Sequence, residues 1–221
     1  MGKTKLRWSE YLIELLVVII GISIAFSIEN YAANRKQKAE ELQHLRGIVD
    51  DLETDARLFE EFSGYVSTTL KHVKRLNQLI AKGESTNDSL NFLLMRAGWI
   101  SNHAPRNISY ASLKTSGGLD KLTGFELREK IIYHYEHKMG NIYFQNDIHD
   151  NYLKDFITPI QLKYADFTSK EGLDPDFFKL RENKNVFAGL EGQLSNKVKN
   201  YQNAVGFTNE VLELVKAELN R

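Results

Sequence analysis

The sequence predicts an all-α protein: one N-terminal transmembrane helix followed by an elongated helical bundle with coiled-coil-like seams. Three observations carry that prediction. Residues 11–28 form a single apolar run, apolar residues then recur at steps of three and four over nearly forty positions and again near the C-terminus, and no stretch sustains the alternation of a strand. Only three prolines interrupt 221 residues. The order that follows is a basic tail over 1–10, a transmembrane helix over 11–31, a long heptad-like helix over 32–84, and the rest of the bundle over 85–221.

The run YLIELLVVIIGISIAFSI carries one charge after Tyr11, that of Glu14. At ~1.5 Å per residue its 18 residues reach about 27 Å, close to the ~30 Å hydrocarbon core of a bilayer. Trp8 and Tyr11 stand at one end and Tyr31 at the other, where amphipathic rings favour the headgroup layer. A buried core helix is one alternative. A cleaved signal peptide is another, with Lys3, Lys5 and Arg7 as its basic region and Ala25 and Ser27 as a small-x-small site. We read the segment as a retained, single-pass anchor in contact with the lipid bilayer.

Offsets of seven and four place Glu14, Gly21, Ala25 and Ala32 on one helical face. Small residues let helix backbones approach, and a neighbouring Glu can share a proton or hydrogen bond with a second helix, so this face predicts a homo-oligomer. Ser23, Ser27, Asn30 and Asn34 form a polar stripe on the opposite side, a candidate pore lining if several copies form a ring. The bland reading has Glu14 snorkelling to the headgroups and the serines bonding their own backbone.

Lys3, Lys5 and Arg7 lie directly before the span, whereas Arg35, Lys36, Lys38 and Arg46 lie further after it. Proximity favours a cytoplasmic N-terminus with the bundle outside the cytoplasm. Lys plus Arg equals Asp plus Glu at 29 each, so no overall field selects nucleic acid, and there are no cysteines for disulfides or thiolate zinc sites.

The first seam runs through Leu42, Leu45, Val49, Leu52, Ala56, Phe59, Phe62, Val66, Thr69, Val73, Leu76 and Ile80, with Gly47 and Gly64 as weak points. Acidic residues crowd its first half, from Asp50, Asp51, Glu53 and Asp55 to Glu60 and Glu61; Lys71, Lys74, Arg75 and Lys82 hold the second. Ser85 and Asp88 predict a capping box for a short helix that Gly98 closes, residues 99–107 an irregular loop, and 109–115 a short helix ended by Gly117 and Gly118. Thr123 and Glu126 predict a second capping box before a long helix with Leu127, Ile131, Tyr135, Ile142, Tyr152, Leu153 and Phe156 among its apolar residues, ended or kinked at Pro159. Residues 168–176 read as a loop. A last seam runs from Phe187, Leu190 and Leu194 through Tyr201 to Val215 and Leu219.

Two stretches, ELLVVIIGISIAFSIENYAANRK over 14–36 and ISYASLKTSGGLDKLTGFELREKIIYHYE over 108–136, resemble an uncharacterised family of single-pass bacterial inner-membrane proteins, a domain of unknown function. Tyr31, where a Trp is more usual, and His134 between two tyrosines depart from its pattern. The resemblance implies an inner-membrane anchor, a periplasmic helical domain and no catalytic residues.

Candidate chemistry is sparse. His134, Glu136 and His137 are the only close cluster of metal-type ligands; Glu136 leaves the face the histidines share, and a third ligand such as His149 or Asp150 lies over three turns away. Ser112, Ser116 and His103 lack a nucleophile elbow, and Gly117 and Gly118 lack the lysine of a phosphate loop. No catalytic residue, metal or cofactor is therefore expected. The expected function is a non-catalytic, membrane-anchored, self-associating interaction module that presents residues 98–122 to a partner. The alternative is an oligomeric channel or membrane-disrupting effector gated by the helical domain.

Overall fold

The computed structural model describes residues 8–84, 89–99, 102–122, 124–168, 176–177 and 180–220, without the side chains of Ser9 and Glu10. Seven α-helices occupy the described residues, and no strand occurs among them. They are α1 (Trp8–Lys82), α2 (Ser89–Ala97), α3 (Ile108–Thr115), α4 (Phe125–Ile132), α5 (Met139–Tyr152), α6 (Thr158–Tyr164) and α7 (Arg181–Leu219). Helices α4 to α6 form one continuous rod, joined by π-helical turns at Tyr133–Lys138 and Leu153–Ile157.

At 75 residues, α1 is about 110 Å long and carries both the apolar run and the first seam without a break. Its continuity between the two follows from local chemistry. Residues 29–41 are rich in Ala, Lys, Gln, Glu and Arg, all good helix formers, and lack Gly and Pro. Pairs one turn apart reinforce them: Arg35 stacks over the Tyr31 ring, Lys36 approaches Glu40 at 3.9 Å and Lys38 approaches Glu41 at 3.5 Å. The helix stops where Gly83 takes φ +69°, with the Gly83 and Glu84 N–H groups donating to Ile80 and Leu79.

Helix α7 packs antiparallel along the bundle half of α1. Asn77 donates to the Phe187 carbonyl at one end, Phe59 meets Tyr201 midway, and Lys38 reaches Glu218 at the other. The α4–α6 rod lies antiparallel to α7 in turn, held by Lys130 to Glu210, Asn146 to Tyr201 and Tyr152 to the Val186 carbonyl. Helix α2 covers the far half of α1 and is tied to the residues after α6 by reciprocal Asn91 and Asp166 bonds. Helix α3 covers the near half, where the Asp51 carboxylate accepts from the Ser109 N–H in its first turn. The core between them includes Leu45, Ile48, Leu52, Phe59, Leu76, Phe187, Leu190 and Tyr201.

Several expectations shift. Ile48, Leu79 and Asp55 are buried on α1, while Ala56 is only half-buried. Phe156 is exposed, and Met139, Asn146, His149 and Ile157 take inward positions on the rod. Buried residues there run at consecutive fours, 127, 131, 135, 139 and then 149, 153, 157. In an α-helix each step of four drifts by about 40°, and a wider π turn absorbs the drift. Pro159 does not end the rod: it sits in the first turn of α6, directly after a π turn, and the helix continues to Tyr164. The capping-box residues Ser85, Asp88 and Thr123, and most of the 168–176 loop, lie outside the described residues; α4 starts after Gly124.

The two α1 glycines differ. A Cβ at Gly47 would meet Ser109 Oγ at 2.8 Å, so this glycine admits α3, whereas a Cβ at Gly64 would meet nothing within 4 Å. Gly64→Ala is expected to raise stability by about 1 kcal/mol in urea unfolding, and Gly47→Ala to give no gain.

Candidate functional site

Two regions concentrate features that simple packing does not require: the exposed segment of α1 and a polar cluster inside the bundle.

The 18-residue apolar window of α1 is 0% buried, so it is not a core helix; it is the one described helix long and apolar enough to cross a membrane. Because α1 is continuous there, Glu14, Gly21, Ala25 and Ala32 do share one face, and Ser23, Ser27, Asn30 and Asn34 the other. The Ser23 hydroxyl donates to the Ile19 carbonyl at 2.8 Å and that of Ser27 to the Ser23 carbonyl at 2.7 Å. Both donors are thus satisfied within the helix. Carrying about 100° per residue forward, the serine and asparagine stripe lies on the side of α1 that Ile48, Leu52 and Phe59 turn to the bundle. The Gly21 face lies about half a turn away, on the side the bundle leaves open.

The second region is a latch around residues 102–107, which cross the bundle without helical hydrogen bonds of their own. Asp55, 0% exposed on α1, supplies the acceptors. Its carboxylate meets His103 Nε2 at 2.9 Å and accepts from the Arg106 N–H at 3.1 and 3.0 Å. The His103 N–H donates to Tyr201 Oη, which donates to Asn146 Oδ1, and Asn146 Nδ2 donates to the His103 carbonyl. Tyr143 Oη donates to the Pro105 carbonyl at 2.6 Å. Asn102 donates to both Asp150 oxygens at 2.7 and 2.6 Å and accepts from Lys197. One short segment is therefore held by side chains of α1, α5 and α7, and the His103 N–H and C=O, the Pro105 C=O and the Arg106 N–H each gain a partner. Burial pulls the Lys197 ammonium down to about 8, opposed by the nearby Asp150 charge.

Within 98–122, His103 and Pro105 are buried in the latch, whereas Ala104, Arg106, Asn107 and Ile108 are exposed. The candidate nucleophiles do not meet. His103 Nε2 is taken by Asp55, the Ser116 hydroxyl donates to the Leu113 carbonyl, and Ser112 is exposed.

The His134, Glu136 and His137 cluster is dispersed by the π turn. Glu136 accepts from Tyr110 and Lys114, and His137 lies against the Tyr133 ring. His134 is buried beside Tyr135 and Phe207, with neither ring nitrogen hydrogen-bonded. No group of three His, Cys, Asp or Glu among the described residues is arranged to hold a metal. Burial lowers the His134 pKa to about 4 and that of His149 to about 4, the latter helped by Lys197. Sequence reading missed the latch because its parts come from four separate stretches; its one local signal is Asp55 standing in step with Leu52 and Phe59.

Among known proteins, a model described as a family of unknown function (DUF6090) matches residues 14–172, well over half of the chain. The match begins at Glu14 and ends before α7, so it takes in α1 and the latch segment and leaves out the antiparallel partner of α1. No curated protein and no solved structure matches.

The buried histidines set an acid sensitivity. The folded pKa of His134 lies below the 6.5 of an unperturbed histidine, so between those values the unfolded chain binds a proton that the fold excludes. Its contribution is intact above pH 6.5 and is lost as pH falls toward 4. Urea unfolding of His134→Leu should lose about 2 kcal/mol less than the wild type between pH 7 and 4.5.

Proposed function

The chain belongs to the DUF6090 family, and on that footing we propose that it is a membrane-anchored, self-associating helical interaction module. The single observation behind this reading is that an apolar segment with 0% burial and the main seam of the bundle are one unbroken helix. Twelve Leu, Ile, Val and Phe side chains between positions 12 and 28 favour insertion by roughly 4 to 7 kcal/mol in total. With no loop between anchor and bundle, tilt or rotation of the helix in the bilayer is transmitted directly to the domain.

Self-association runs through Glu14, Gly21, Ala25 and Ala32. That face is opposite the bundle, so two anchors can close on it while their bundles splay apart. Small residues bring the backbones together, and the Glu14 carboxyls hydrogen-bond across the pair near the membrane surface. In this reading the basic tail stays in the cytoplasm of a bacterial cell and the bundle stands in the periplasm, the arrangement favoured by Lys3, Lys5 and Arg7 directly before the span.

The alternative, a channel lined by Ser23, Ser27, Asn30 and Asn34, has one geometric feature in its favour. Those residues lie on the bundle side, so a ring built around them would set the bundles over the axis, where they could gate it. The intrahelical bonds of both serines weigh the other way.

Light scattering in mild detergent separates the readings. The full-length protein should be a discrete oligomer, a truncation starting at Gln37 a monomer, and Gly21→Leu with Ala25→Leu should reduce the full-length form to a monomer. Oligomers that persist in the truncation would move the association to the bundle. Dissociation by Ser23→Leu with Ser27→Leu, and not by the glycine-face change, would favour the channel.

A further inference from the structure

The far end of the bundle carries a groove that the anchor does not reach and that borders the latch at Asn102. It lies between α1 and the end of α2 and encloses about 590 Å³, with Phe62, Tyr65, His72, Arg96 and Trp99 among its lining residues. Sites for small organic molecules fall in this range, roughly 300 to 1,000 Å³.

The chemistry centres on Arg96. Its guanidinium lies 5.3 Å from the Phe92 ring centroid and 4.5 Å from that of Trp99. Two aromatic rings thus flank the cation and shed part of its hydration. No carboxylate of the described residues pairs with it, whereas Lys114, Lys130 and Lys216 each have a glutamate partner. The N–H groups of a guanidinium form a planar fork that receives a carboxylate or phosphate in two parallel bonds.

The walls are apolar and wet. Tyr65 and Trp99 are 52% and 56% exposed, and the Tyr65 hydroxyl is turned to Glu61 at 2.9 Å, leaving the ring to the groove. A ligand that covers these rings gains apolar contact and strengthens the Arg96 bond by excluding water. The groove lies about 35 residues of continuous helix beyond Ile28, some 50 Å from the apolar segment, so lipids of the bilayer around the anchor do not reach it.

The geometry points to a binding site for a small amphipathic anion, a carboxylate or phosphate on an aromatic or branched apolar body, with Arg96 holding the anion and Tyr65 and Trp99 flanking the body. The site goes beyond self-association and does not depend on it.

The test uses the full-length chain in non-ionic detergent. Calorimetric titrations with 2-naphthoate, 2-naphthyl phosphate and uncharged 2-naphthamide are paired with the indole N–H shift of Trp99. The expected result is saturable binding of at least one anion, a shift confined to Trp99 and not Trp8, and about tenfold or more weaker binding of the amide. Arg96→Gln should weaken the anion by a similar factor, and Arg96→Lys, which keeps the charge and loses the fork, by less. The stronger of the two anions identifies the headgroup class. Equal affinity for naphthoate and naphthamide, affinity unchanged in both Arg96 variants, or no saturable binding of either anion would overturn the assignment.

Discussion

Everything in this molecule hangs on α1 remaining a helix while it passes from one environment to another. Between Ile28, the last apolar residue of the run, and Lys38, whose ammonium reaches Glu218 on α7, about 15 Å of helix is exposed on all sides. A helical stretch without burial survives only on propensity, pairing one turn apart and anchorage at both ends. This segment has all three, with good helix formers at most positions, the Arg35, Lys36 and Lys38 pairs along it, and an apolar run and a packed seam beyond its ends. The consequence is mechanical. The face a residue occupies in the anchor is locked to the face the bundle occupies, and that lock places the small-residue stripe away from the domain.

The bundle meets a second constraint, the chain crossing at residues 102–107. Backbone groups that leave a helix inside a core must be paired, and no strand among the described residues is available to pair them. Asp55, Asn146, Tyr143 and Tyr201 fill that need from three different helices. Such a network fixes rotation and register more sharply than apolar contacts do, since a slip of one residue would strand several buried groups at once. It also explains why a lysine sits buried at position 197: its partner Asn102 is the first residue of the crossing, and Asp150 balances the charge. The groove beside Arg96 includes Asn102 in its lining, so the latch and the groove share a wall.

The long elements were legible because their signal is periodic. The seams of α1 and α7, the stop at Gly117 and the short helices about it follow from spacing and turn chemistry, and Gly117 does take the left-handed φ of +69° that this reading needs. The apolar run was equally plain. The latch was not, because Asp51 and Asp55 sit in an acidic stretch that reads as a solvated face, and only their step with Ile48, Leu52 and Phe59 marks them as inward. The π turns were written in the consecutive fours of 127, 131, 135 and 139, a spacing that is easily taken for ordinary helix. His134 looked like half of a metal pair because its neighbours in sequence carry ligands; the turn that buries it sends Glu136 and His137 elsewhere. The pairing of Arg96 with its rings is local, since Phe92 stands four residues before it and Trp99 three after; the groove beside them is not, because it forms only where α2 meets α1.

The central claim is the unbroken α1, and the most direct measurement is a pulsed electron–electron distance between spin labels at the exposed positions Ala33 and Arg57 in the full-length protein, diluted with excess unlabelled protein so that distances arise within one chain, and reconstituted in lipid. A continuous helix across those 24 intervals predicts one narrow distribution near ~36 Å. A broad distribution, or a main distance well short of it, would mean that a joint separates anchor from bundle and would contradict the account.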